Sequence, residues 1–327
     1  VKQLTLSQSP HIQNELSTKK IMYAVIIALI PALIVSVLFF GIGAIKVTLV
    51  AIASCVLFEY LIQKFMLKQG VLISDGSAAL TGLLLAFNLP SNLPIWMIIA
   101  GSLVAIGVGK MSFGGLGNNP FNPALVGRIF LLISFPVQMT SWPIPKFLSF
   151  ACDGQTGATA LGIVKEGVAA GVPVSDLWMK TPQMMDLFLG KMGGSIGEVS
   201  ALALILGGIY LLYKKIITWH IPVSFILTVM AFTGIMWMTN SQIYINPLFH
   251  LFTGGLMLGA IYMATDMVTS PMTTWGMIMF GVGCGVLTVL IRLFGAYPEG
   301  VSFAILIMNA FTPIINKIFV PKRYGVK

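Results

Sequence analysis

Charge is what this sequence has least of. Only 9% of its 327 residues are Asp, Glu, Lys or Arg, where a soluble domain carries about 25%. So few charges cannot clothe the surface of a water-soluble fold, although length alone would allow about two such domains. Acids are scarcer than bases, 10 against 19, and the net charge is +9. That excess does not point to nucleic acid, because the Lys and Arg residues stand singly or in pairs between apolar runs, with no basic stripe on a polar helix. Charges so spaced are those that orient membrane spans. Cysteine is nearly missing: Cys55, Cys152 and Cys284 lie far apart without a CxxC pair, so no iron–sulfur or zinc site is expected within this chain alone. Cys55 and Cys284 fall in apolar runs, as small core residues do. His11, His220 and His250 show no metal spacing. No cleavable leader is expected either, since the first apolar run has spanning length and follows about twenty polar residues.

What the chain does have is long apolar runs, 57% hydrophobic residues in all, with a mean hydropathy of +0.94. A helix crosses a bilayer with about 20 apolar residues, and ten segments meet or approach that: 21–42, 44–63, 73–89, 93–110, 122–138, 198–213, 219–239, 246–265, 274–293 and 300–320. The third is weak, for it opens with the polar run Ser74-Asp75-Gly76-Ser77, and a short span of this kind lies against protein or a cavity. The fold class expected is all-α, a polytopic membrane protein of about ten spans. With the N-terminus in the cytoplasm, Lys19, Lys20, Lys64, Lys68, Lys110, Lys214, Lys215 and the basic C-terminal tail fall on the cytoplasmic side, Arg128 lies near the cytoplasmic end of the fifth span, and both termini are inside.

Five spans precede, and five follow, one long loop rich in Gly, Pro and mixed charge. This divides the chain into a first membrane repeat (1–138), an extracytoplasmic loop (139–197) and a second membrane repeat (198–327). The halves are weakly alike. Asp75, Pro94, Trp96, Lys110 and Phe113-Gly114 recur in order as Asp266, Pro271, Trp275, Arg292 and Phe294-Gly295. An odd number of spans per half inverts the second repeat, and inverted repeats put function at their interface.

The sharpest local pattern is Asp153-Gly154-Gln155-Thr156-Gly157-Ala158-Thr159-Ala160-Leu161. Small residues give a modifying enzyme access to a threonine hydroxyl, and the acid upstream is placed to assist its deprotonation or to hold a metal during transfer. This run resembles the signature at which a flavin transferase attaches FMN to threonine in the RnfD proteins of Rnf complexes and in their NqrB sisters of the sodium-pumping NADH:quinone reductase. Ser74-Asp75-Gly76-Ser77, Phe113-Gly114-Gly115-Leu116-Gly117, Phe121-Asn122-Pro123-Ala124, Gly194-Ser195-Ile196-Gly197-Glu198, Met263 to Pro271 and Pro298-Glu299-Gly300-Val301 are similar to the RnfD proteins in the same order, so the resemblance covers essentially the whole chain. The length and the Thr-Gly-Ala-Thr form favour the Rnf member.

The resemblance implies covalent FMN held by a phosphoester to Thr159, with Asp153, Thr156, Gly157 and Ala158 completing the attachment motif. It implies a urea-transporter-like arrangement of inverted repeats in a bacterial inner (plasma) membrane. It also implies an ion-translocating ferredoxin:NAD oxidoreductase moving Na⁺ or H⁺, flavoprotein and iron–sulfur subunits as partners, and a flavin transferase. A second, non-covalent flavin (riboflavin) occurs in related complexes, and no motif here tests it. Trp142, Phe147, Phe150 and Trp178 in the loop have two readings, stacking on the flavin ring or anchoring at the membrane interface.

Asp75, Asp266 and Glu59 are the candidate ion path, since ionisable groups inside a membrane are costly. Capping of helix ends is the other reading for both aspartates, and Glu198 stands where a partner for a helix N-terminus would. The run Gly114 to Pro120 lacks the third glycine and the Lys-Ser/Thr of phosphate loops and reads as a tight turn. Asn122-Pro123-Ala124 resembles a water-channel signature, but its counterpart, Asn246-Pro247-Leu248, does not. The rival function is a solute transporter or channel of inverted repeats without flavin, and a third is a passive scaffold in the same complex.

Overall fold

The computed structural model describes residues 17–68, 70, 72–145, 147, 156–198 and 200–320. Apart from one two-residue strand pair, every regular element is helical. The first half comprises α1 (Thr18–Phe40), α2 (Ile42–Leu61, prolonged by a π-turn to Met66), α3 (Ser77–Phe87), α4 (Ile95–Leu103, prolonged by a π-turn to Val108) and α5 (Pro123–Ser134). The second comprises α10 (Ala201–Tyr213), α11 (His220–Thr239), α12 (Pro247–Phe252), α13 (Leu256–Leu258, continuing as a π-helix through Met263), α14 (Thr274–Phe294) and α15 (Val301–Ile318). Between the halves lie α6 (Pro136–Met139), β1 (Trp142–Pro143), β2 (Thr156–Gly157), α7 (Ala160–Ala169), α8 (Val174–Lys180) and α9 (Met184–Leu189).

The protein is an all-α, multi-pass membrane protein. Among the described residues, six helices are long and apolar enough to cross a bilayer: 18–40, 42–66, 95–113, 220–239, 274–294 and 301–318. The other four expected spans are short or broken, the third among them as its polar opening suggests. At about 1.5 Å per residue, the 11 residues of α3 reach only about half of a hydrocarbon core roughly 30 Å thick. The causes are local. Gly76, at φ +80°, turns the chain into α3. Pro136 drives Phe135 out of helical geometry and ends α5. Gly254 and Gly255, at φ +68° and +66°, separate α12 from α13.

A helix that stops inside the membrane body exposes unpaired backbone groups, and each must find a partner there. For α3 the partner is a non-helical segment, in which Ile196 N–H and Gly197 N–H donate to Leu89 O (3.1 Å) and Phe87 O (2.8 Å). Asn122 Nδ2 donates to Met263 O (3.2 Å) at the end of the π-helix. Arg292 donates to His250 O (2.7 Å), Thr253 O (2.8 Å) and Gly254 O (3.1 Å) across the α12–α13 break.

Packing repeats between the halves. The contacts α2–α3, α2–α4, α4–α5 and α1–α3 recur as α11–α12, α11–α14, α14–α15 and α10–α13, and α1 packs on α10 between them. Lys110 and Arg292 correspond, each closing the break before a half-helix, since Lys110 reaches Ser77 at the start of α3. Asp75 and Asp266 do not, because Asp75 precedes α3 whereas Asp266 follows the α13 π-helix. From residue 156 onward the intervening loop is folded: Ala160, Leu161, Val164, Val174, Leu187 and Met192 form a small core with Ile245 and Phe249 of the second half.

Candidate functional site

Thr159 is the N-cap of α7. Its backbone is extended (φ −64°, ψ 156°), and its Oγ1 accepts from Gly162 N–H at 3.0 Å. The preceding Thr156-Gly157 pairs antiparallel with Trp142-Pro143. Thr156 and Ala158 are exposed, Gly157 is half-buried and Thr159 itself is only 6% exposed. Access to the hydroxyl is therefore narrower than the small-residue pattern suggests, because helix capping uses it. Asp153, Phe150 and Cys152 lie outside the described residues.

The wall facing Thr159 comes from three places. Arg128 and Leu132 belong to α5, Met139 and Trp142 to the start of the loop, and Tyr297, Pro298 and Glu299 to the α14–α15 turn. Of the loop aromatics, Trp142 lines this cavity, and Phe147 lines the adjoining one with Gly157 and Ala158. Trp178 instead stands against Phe249, with ring centroids 6.2 Å apart. Tyr297 was not foreseen from the sequence, which carries no mark setting it apart from an interfacial tyrosine.

Arg128 is a buried member of this wall, not a charge at a membrane surface as its sequence position suggests. Its guanidinium donates to Asn88 Oδ1 (2.6 Å) and Ser302 Oγ (2.7 Å), and pairs with Glu299. One side chain thus joins the end of α3, the middle of α5 and the start of α15. Glu198 does not begin a helix: α10 starts at Ala201 with Ser200 as its cap. Glu198 instead folds back to accept from Ser195 N–H (3.4 Å) and Oγ–H (3.3 Å) in the buried segment that closes α3.

The opposite face of the body, where α1 and α3 start and α10 ends, holds a second polar cavity. Lys110, Ser77, Asn119, Asn122, Tyr262 and Asp266 line it. Lys110 Nζ pairs with Glu59 Oε2 (2.6 Å) and donates to Ser77 Oγ (2.7 Å). Ser77 in turn donates N–H (3.0 Å) and Oγ–H (2.9 Å) to Asp75, and Gln63 donates to Glu59 Oε1 (3.2 Å). Two of the three expected ion-path acids are therefore linked through Lys110 and Ser77, and the third, Asp266, lines the same cavity. Neither aspartate is a helix cap, the other reading: Asp266 accepts from Val268 N–H (3.4 Å) and Asp75 from Ser77 N–H in turns, while Gly76 and Thr273 stand at the caps of α3 and α14. Lys110, counted from sequence as an orienting charge, is 1% exposed.

Asn122 and Asn246 make the same cap, accepting from Ala124 N–H (3.1 Å) and Leu248 N–H (2.9 Å) at the starts of α5 and α12. Their Asn-Pro pairs are helix starts. The glycines at 114, 115 and 117 all have φ between +92° and +100°, as a tight turn demands.

Residues 5–325 match the model of the NQR2, RnfD, RnfE family. The chain belongs to that family. It is 46% identical to the D subunit of the proton-translocating ferredoxin:NAD(+) oxidoreductase complex of Clostridium ljungdahlii, over 99% of this chain and 96% of that protein. It is 45% identical, at the same coverage, to the D subunit of the Na(+)-translocating ferredoxin:NAD(+) oxidoreductase complex of Acetobacterium woodii. It is 40% identical to the D subunit of the ion-translocating oxidoreductase complex of Stutzerimonas stutzeri, over 94% of this chain and 92% of that protein. The matched range takes in both cavities, including Asn122 and Pro123 at one and Pro298 and Glu299 at the other.

Proposed function

We propose that this chain is the membrane subunit of an Rnf-type ferredoxin:NAD oxidoreductase complex, carrying FMN esterified to Thr159 and relaying electrons between flavoprotein and iron–sulfur partner subunits while Na⁺ or H⁺ crosses the membrane. Near-complete coverage of relatives named as the D subunit of such complexes supports the membership. Those two relatives are equally similar and are named for different ions, so the ion moved does not follow from overall similarity. Basic residues gather on the face that bears the start of α1, which supports a cytoplasmic N-terminus and an extracytoplasmic Thr159 in a bacterial inner membrane.

The observation that carries the flavin reading is the position of the Thr159 hydroxyl. It stands at the N-terminus of the ten-residue α7, where free backbone N–H groups and the helix dipole favour a phosphate. Arg128 in the same wall is already paired with Glu299, so the helix terminus is the anion-binding element, and Trp142 and Tyr297 supply aromatic surface. The flavin ring supplies the redox chemistry, and the protein supplies placement and tuning. Thr159 is the acceptor oxygen, and the extended Thr156-Gly157-Ala158 segment presents it to a flavin transferase, with Asp153 assisting. We further propose a second, non-covalent flavin at the mouth of the cavity around Lys110, whose enclosed part, about 80 Å³, is too small for the ring alone and where Asn119 Oδ1 is buried without a partner among the described residues.

Intact mass of the chain from its native complex tests the first assignment. The expected mass exceeds the bare polypeptide by one esterified FMN that maps to Thr159. A bare mass from a fully active complex would overturn it. Flavin released on denaturation tests the second: Asn119→Leu should lower it while leaving the ester-bound flavin in place.

A further inference from the structure

The structure holds a cavity that neither flavin assignment uses. It opens on the Thr159 face, on the other side of α7 from Thr159, between Leu161, Val164 and Val168 of α7 and the end of α14. Its volume is about 290 Å³, near the lower end of small-molecule sites and far larger than a phosphate ion.

Two cations line it and no acid does. Arg292 is 4% exposed and spends its terminal nitrogens on the carbonyls at the α12–α13 break. Its Nε is buried and has no hydrogen-bond partner among the described residues. His250, 5% exposed, lines the same cavity, and its Nδ1 is likewise buried and unpartnered. Lys165 donates to Gly295 O (2.5 Å) and Tyr297 O (3.0 Å), leaving its third N–H. Neither cation makes an ion pair among the described residues, and Glu198 and Glu299 act on Arg292 only at longer range. Stapling helix ends accounts for the donors already used. It does not account for the remaining N–H of Lys165, or for two cations without an acid at one cavity.

The mouth has the opposite character. Phe294 is 66% exposed and Ile243 46% exposed, and both border the opening. It lies where the extramembrane helix α7 meets the end of a membrane span, the level at which headgroups meet acyl chains. A positive, polar floor behind an apolar mouth fits an anionic amphiphile and excludes a free ion as the natural occupant. We infer that this cavity binds the phosphodiester headgroup of an anionic phospholipid, with Lys165 facing the phosphate, Arg292 adding its charge from behind, and the acyl chains leaving past Phe294 and Ile243. The site is independent of both flavins.

The test is native mass spectrometry of the purified full-length chain, delipidated and then exchanged into nanodiscs of phosphatidylglycerol or of phosphatidylcholine with identical acyl chains. The expected result is one phosphatidylglycerol retained per chain, about tenfold over phosphatidylcholine, which has the same phosphodiester but brings a choline cation against Lys165 and Arg292. Lys165→Gln should lower retention several-fold, and Val164→Phe, which fills the cavity without touching charge, should lower it independently. Lys191→Gln, at an exposed pair with Asp186, should leave it unchanged. Equal retention of the two lipids, or indifference to both cavity variants, overturns the inference. Displacement by millimolar inorganic phosphate overturns the lipid assignment in favour of a free anion.

Discussion

Lys110 and Glu59 form an ion pair of 2.6 Å inside the membrane body, with side chains 1% and 2% exposed. Neither charge has water to fall back on, so each depends on the other and on Ser77 and Gln63. Removing one partner strands a buried charge, which costs about 3–5 kcal/mol. Lys110→Met and Glu59→Gln are each expected to lower the thermal unfolding midpoint sharply. The double variant should recover much of the loss, because no charge is then left alone. A double-mutant cycle on the detergent-solubilised chain measures this, and additive losses would show that the pair is not coupled.

Thr159 has two roles that substitution separates. Thr159→Val removes both the acceptor oxygen and the helix cap. The cap is worth about 1 kcal/mol, so the chain should still fold, yet lose the fluorescent flavin band on a denaturing gel. Thr159→Ser keeps a hydroxyl and a cap and should retain some labelling. Thr156→Val, three residues earlier on an exposed strand position, should lower the extent of labelling without moving the ester, because that segment presents Thr159 to the transferase. Labelling that survives Thr159→Val would place the ester elsewhere.

What could be read in the sequence, and what could not, follows from range. The membrane class was legible because scarce charge and apolar runs are composition. Thr159 stood out because its neighbours are all local. Asn88-Leu89-Pro90 and Gly254-Gly255 halt helices inside the membrane, however, and an apolar count does not register where a helix stops when the chain on both sides is apolar. Lys110 was counted among the orienting charges, and the buried partners of Lys110 and Arg128 were not legible because Glu59 and Asn88 are 51 and 40 residues away. Asp75 and Asp266 were matched as repeat partners from neighbouring letters, and they do reach one region of the protein. They do so from opposite ends of corresponding half-helices, which an inverted repeat carries to the same face.

Arg128 ties α3, α5 and α15 together through Asn88, Ser302 and Glu299. A lysine places one point charge where a planar fork now serves three acceptors. Arg128→Lys is therefore expected to behave nearly as badly as Arg128→Gln, each losing about 3–5 kcal/mol. Because the same side chain lines the Thr159 cavity, any protein that survives should show altered flavin fluorescence. Full stability of Arg128→Lys would reduce the contact to simple charge neutralisation.

The α12–α13 break offers the cleanest test of how this fold tolerates helix ends inside a membrane. Gly254 has φ +68°, a conformation that costs an L-residue with a side chain about 1–2 kcal/mol. A Cβ there would also strike the Arg292 guanidinium and Leu161, displacing the cation that satisfies the carbonyls of the break. Gly255 has nearly the same φ, +66°, but nothing lies within 4 Å of the place its Cβ would take. Gly254→Ala should thus cost clearly more than Gly255→Ala, which isolates the backbone term. The difference between the two measures what the Arg292 staple contributes, read as midpoints of thermal unfolding in one detergent. Equal losses would mean that backbone strain alone sets the cost, and that Arg292 holds the break only loosely.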